Sequence, residues 1–78
     1  MPSILREGPY RVYFYSHEPN EPPHIHVDRD ERSAKFWVSP VGLARNLGFR
    51  ARELAEIERI VQDNEQRIVE TWHEYFGT

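Results

Sequence analysis

His24-Ile25-His26-Val27-Asp28-Arg29-Asp30-Glu31-Arg32-Ser33-Ala34-Lys35-Phe36-Trp37-Val38 is the stretch that decides the fold of this chain. Apolar and polar residues alternate over residues 24–28 and again over 34–38, the period of a strand with one buried face. The polar tetrad Arg29-Asp30-Glu31-Arg32 between them predicts a turn, and the whole a β-hairpin. Folding at 29–32 sets the register: residue 25 opposes 36, so His24 stands across from Trp37 and His26 across from Lys35. Ser39-Pro40 ends the second arm.

Upstream, Tyr10-Arg11-Val12-Tyr13-Phe14-Tyr15 follows Gly8-Pro9 and is dense in aromatic and β-branched residues, which predicts another strand. Residues 3–6 make a weaker strand, and residues 41–44 a further short one that Gly42 disfavours, before Asn46-Leu47-Gly48 turns the chain. From about residue 50 the period becomes helical. Leu54, Ile57, Val61, Ile68, Trp72 and Tyr75 form one apolar stripe that fits over a sheet. Asp63, with Gln66 three residues on, reads as the N-cap of a second helix, the alternative being one bent helix. Gly77 is placed to end it. The expected architecture is an α+β domain over residues 1–78, with a β-rich part (1–48) and a helical part (49–78). Its sheet is three- to four-stranded and mainly antiparallel, with one face covered by a C-terminal helical hairpin or bent helix.

A chain of 78 residues buries a thin core, and with no cysteine it has no disulfide to reinforce it, so oligomerisation or a partner is a natural source of added stability. The absence of cysteine and of any long apolar run leads to the expectation of a soluble cytoplasmic protein with no membrane contact. Lys plus Arg number 10 against 13 Asp plus Glu; the net charge of -3 disfavours nucleic acid as a partner. Arg45, Arg50 and Arg52 are followed closely by Glu53, Glu56 and Glu58, which reads as a solvated mixed-charge surface.

Strand parity sorts the side chains into two faces. Val12, Phe14, Ile25, Val27, Phe36 and Val38 fall together and suit a helix-covered core. The opposite face carries Arg11, Tyr13, Tyr15, His24, His26, Asp28, Lys35 and Trp37. Such a mixture of imidazole, phenol, indole and charge fits a ligand floor, a partner interface or a surface covered by the N-terminal segment.

Three of the four histidines, His17, His24 and His26, lie within ten residues around the proline-rich segment Glu18-Pro19-Asn20-Glu21-Pro22-Pro23. In a structural role, His24 and His26 pack against Trp37 and hydrogen-bond the loop, whose prolines fix the strand's approach angle. In a metal role, His17, His24 and His26, completed by Asp28 or Glu18, supply imidazole and carboxylate donors suited to zinc, nickel or iron. In a catalytic role, His24 and His26 act as the general acid and base of a metal-independent ribonuclease, since imidazole titrates near neutrality. No nucleophile motif or glycine-rich phosphate loop accompanies them. No cofactor is expected, a divalent metal being the one open option. His73 reads as a surface or helix-end residue.

Pro9-Tyr10-Arg11, Phe14-Tyr15-Ser16, Glu21-Pro22-Pro23-His24-Ile25-His26-Val27, Ala34-Lys35-Phe36-Trp37 and the terminal Trp72-His73-Glu74-Tyr75-Phe76 together resemble the small bacterial family catalogued as domain of unknown function 4160. The resemblance spans almost the whole chain and supplies no established catalytic residues. It implies a tiny protein often encoded beside a second small one, of domain of unknown function 2442, in a toxin–antitoxin-like two-gene arrangement. Arg50 departs from the small hydroxyl residue frequent at that position, which bears on the first helix's N-cap. The leading expectation is therefore a non-enzymatic interaction or regulatory module. It would bind a small partner protein or a second copy through Tyr13, Tyr15, His17, His24, His26 and Trp37. A ribonuclease toxin or a metal-assisted hydrolase is the competing class.

Overall fold

The computed structural model describes residues 3–16 and 20–78. In chain order the elements are β1 (Ser3–Glu7), β2 (Tyr10–Tyr13), β3 (His24–Arg29), β4 (Arg32–Val38), β5 (Val41–Leu47), α1 (Ala51–Asp63) and α2 (Glu65–Phe76). The strands form one antiparallel sheet in the order β1-β2-β3-β4-β5. Five strands replace the expected three or four. Both weakly signalled segments pair, and β5 runs on through Asn46 and Leu47, where the sequence predicts a turn. Gly42 pairs with Trp37 on an edge strand, and a Cβ there would meet open space, so the missing side chain forgoes little packing.

The β3–β4 hairpin has the register read from the sequence: Ile25 opposite Phe36, His24 opposite Trp37, His26 opposite Lys35. Its turn bends at Asp30, whose φ of 55° is left-handed, a conformation that a short side chain able to bond its own backbone accepts more readily than most. The parity reading of the core face also holds. Val12, Phe14, Ile25, Val27, Phe36 and Val38 are all buried beneath the helices, with Ile57, Val61, Ile68 and Trp72 from the helical stripe. Tyr75 is the exception in that stripe, 52% exposed. Phe76 takes the inner place, its ring 5.6 Å from Phe14 and 4.5 Å from Trp72.

The helices meet at one residue, Asn64, too short a link for the two- to five-residue loop of a helical hairpin, so they form a bent pair. Asn64, rather than Asp63, stands at the N-cap of α2. Its carbonyl accepts from Ile68 N–H at 2.9 Å while its amide nitrogen donates back to Ile60 O at 2.8 Å, tying the two helices together. Gln66 bonds Glu70 instead of the cap. Gly77 ends α2 in the left-handed conformation, as its position predicts. Among the described residues, no helix is long and apolar enough to cross a membrane.

Glu53 corrects the mixed-charge reading. Arg50, at the N-cap of α1, has no acceptor to offer the helix's first N–H groups, and Glu53 accepts the Arg50 N–H at 3.2 Å. The same largely buried carboxylate binds Arg32 at 2.9 Å and Arg29 at 3.4 Å, fastening the hairpin tip to the start of α1. Gly48 belongs to this joint. At φ 102° it sits where a Cβ would lie 3.0 Å from Arg32 Cγ.

Candidate functional site

The helices leave one side of the sheet uncovered, and register decides what it displays. Tyr13 opposes His26, Arg11 opposes Asp28, and Lys35 stands between His26 and Arg45. The diagonal from Tyr13 to Asp28 is within reach of a long phenol, which donates its hydroxyl proton to the carboxylate at 3.0–3.1 Å. His26 stacks on Tyr13, centroids 5.5 Å apart and planes 23° from parallel. Tyr15, just beyond β2, approaches to 4.5 Å from His26 and meets Tyr13 edge-on at 5.6 Å. The Arg11 guanidinium lies 4.9 Å from the Tyr13 ring centre. Tyr13, only 4% exposed, is thus the floor of this surface, with Tyr15, His26, Lys35 and Trp37 half-buried around it.

His24 contradicts the expectation that two imidazoles project side by side from this face. It is 0% exposed. Pairing of β2 with β3 stops at Tyr13 opposite His26, so no ladder flanks His24 on that side. Its ring lies at the end of the sheet, 5.8 Å from Trp37 and 4.9 Å from Trp72 of the helical layer. Nδ1 is 2.9 Å from the Pro22 carbonyl oxygen, which can only accept, so Nδ1 carries the proton. The His24 and His26 rings meet edge to face at 5.4 Å. His24 is thus sealed from solvent, while His26 is half-buried on the open face. His17 and Glu18 lie outside the described residues. Among the described residues, no three His, Asp or Glu side chains converge in a way that would hold a metal ion. His73 is exposed on α2, its Nδ1 2.8 Å from Thr78 Oγ1.

Most ionisable groups on the open face already answer one another. Asp28 is held by Tyr13, and Lys35 donates to Glu21 at 2.6 Å while its ammonium lies 4.7 Å from the Trp37 ring centre. Burial, hydrogen bonds to Tyr15 and Asp28, and the Asp28 charge push the Tyr13 hydroxyl well above the usual phenol range, so it stays protonated and is a donor, not a base. Together these contacts make a preformed polar and aromatic surface. Tyr13, Tyr15, His26, Ser33, Lys35, Arg45 and Leu47 line a concavity of about 230 Å³. Ser33, Arg45, Leu47 and Glu21 are the residues that sequence reasoning missed. Arg45 and Leu47 depend on a bulge in the β4–β5 pairing, beside Lys35 and Phe36, that turns them to this side and that alternation cannot reveal, whereas Ser33 simply shares the parity of Lys35 and Trp37. Glu21 was legible only as part of the loop.

The raised Tyr13 value has a consequence for stability. Its proton is bound more tightly in the folded chain, so stability present below pH about 10 is lost as pH rises and the unfolded tyrosine ionises first, with a slope approaching about 1.4 kcal/mol per pH unit. Urea unfolding between pH 8 and 11 should show this alkaline loss in the parent and a flatter profile in Tyr13→Phe. Identical profiles would mean that Tyr13 ionises as freely folded as unfolded.

No curated protein and no solved structure shows a significant match to this chain. A family model does: it matches residues 10–73 of the 78, a span running from the first residue of β2 through the floor of the open face and the buried His24 to His73 near the end of α2. The chain belongs to the family described as Domain of unknown function (DUF4160).

Proposed function

We propose that this protein is an interaction module, the regulatory half of a two-gene arrangement, which binds a small partner protein through Tyr13, Tyr15, His26 and Trp37. One observation carries the reading: an aromatic and imidazole surface, rigidified by its own hydrogen bonds, lies on the side of the sheet that the helices do not cover. Tyrosine, tryptophan and histidine present broad apolar area with a polar tip and lose little side-chain freedom on binding, which is why aromatic residues concentrate at interfaces. The size of the concavity points the same way. At about 230 Å³ it is smaller than the clefts of roughly 300–1,000 Å³ that enclose small molecules, and it suits one or two side chains of a protein.

Co-expression with a small protein of domain of unknown function 2442, followed by size exclusion, tests the proposal. We expect a stable complex that Tyr15→Ala combined with His26→Ala dissociates while the variant keeps the parent's circular dichroism. Elution of the two proteins as separate folded monomers would refute partner binding. Dissociation by an equivalent double change on the outer face of α1, such as Glu56→Ala with Arg59→Ala, would place the interface elsewhere.

A further inference from the structure

We infer that the edge strand β5 is the docking rail of this module and accepts an extended, acidic segment of the partner protein, whose carboxylate is received by Arg45. This rests on the interaction reading above and specifies its chemistry. β5 stands last in the sheet, so one side of its seven-residue backbone has no strand partner among the described residues. Unpaired edges of this length are templates for an added strand unless proline, a run of charges or a covering element blocks them. Val41-Gly42-Leu43-Ala44-Arg45-Asn46-Leu47 contains no proline and a single charge.

Two of the three exposed large hydrophobic residues of the described chain lie on this strand, Leu43 at 46% and Leu47 at 55%. Leu43 pairs with Phe36 and so belongs to the helix side, whereas Leu47 pairs with Ser33 and faces the open side. A strand laid along β5 would cover both at once, its alternate residues falling on the two faces. On the open side those residues meet the concavity lined by Lys35 and Arg45, which includes no carboxylate. Lys35 is engaged by Glu21, while exposed Arg45 has no ion pair among the described residues, so it is the charge on offer. A local positive site on a protein of net charge -3 selects an acidic side chain. The whole protein's charge and the small volume weigh against a nucleotide.

The test uses the ¹⁵N-labelled full chain and a blocked five-residue peptide alternating valine and glutamate, with its glutamine counterpart as control. We expect amide shifts along residues 41–47 and at Ser33 and Lys35, with the glutamine peptide about two- to fivefold weaker at low salt, and Arg45→Gln erasing that difference. Equal binding of the two peptides would overturn the carboxylate assignment. Shifts confined to Tyr13, Tyr15 and His26 would overturn the rail while leaving the aromatic interface standing. Silence throughout would also overturn it, and the co-elution experiment then judges the interface separately. Stronger shifts of the same amides with a short single-stranded RNA, or on raising protein concentration alone, would assign β5 to nucleic acid or to a second copy and refute the inference.

Discussion

Trp72→Ala is expected to cost about 3–5 kcal/mol, the range for removing a large aromatic side chain from a packed core. Trp72 joins the two halves of the molecule. From α2 its ring reaches Phe14 at 5.3 Å beyond the end of β2, His24 at 4.9 Å on β3, and Phe76 at 4.5 Å one turn along its own helix. Truncation leaves a hole bounded by sheet on one side and helix on the other, which neighbouring strands cannot close without breaking their ladder. Whole-domain stability at roughly 0.05–0.15 kcal/mol per residue makes this a large fraction of the total. With a urea slope of order 1 kcal/mol per molar for a protein this small, the midpoint should fall by about 3 M or more, or the variant should be unfolded in buffer. Trp72→Phe should lose much less, since a ring still fills most of the space. A midpoint shift below about 1 M for Trp72→Ala would mean that α2 is not the clamp its contacts describe.

That clamp explains which parts of the molecule were legible in the sequence. Parity identified Ile25, Val27, Phe36 and Val38 as core because a strand with one covered face leaves a local, period-two signature. The hairpin register followed from the position of its polar turn, and the helical stripe from its 3.6-residue period. Three features had no such local trace. Ala44 lies between Leu43, which pairs with Phe36, and Arg45, which pairs with Lys35; this bulge turns Arg45 and Leu47 to the open face, and nothing in Val41-Gly42-Leu43-Ala44-Arg45 signals it. Glu53 reads as one charge in a polar helix start, yet its carboxylate is placed by tertiary contact against Arg29 and Arg32. The third is His24. Alternation puts it beside its cross-strand partner Trp37, but β2 has ended by that level, and there the backbone before β3 at Pro22 and the ring of Trp72 enclose the imidazole, which alternation cannot foretell.

His24 yields the second large effect, and its variants separate architecture from recognition. His24→Ala should cost about 2–4 kcal/mol, combining the cavity left among Trp37, Trp72 and His26 with loss of the hydrogen bond to Pro22 O. His24→Asn keeps an N–H donor at about the distance of Nδ1 from the backbone, so it should retain the Pro22 contact and recover part of that loss. His26→Ala removes a half-exposed ring from the open face and should cost no more than about 1 kcal/mol. Partner binding should follow the opposite order. Measured at a temperature where each variant is fully folded, His24→Asn should bind as the parent does, because its ring touches no solvent, whereas His26→Ala should bind at least about tenfold more weakly. If His24→Asn were folded and stable yet failed to bind, while His26→Ala bound normally, the roles drawn from burial would be reversed. The interface would then lie at the end of the sheet, where Pro22, His24 and Trp37 meet, rather than over Tyr13.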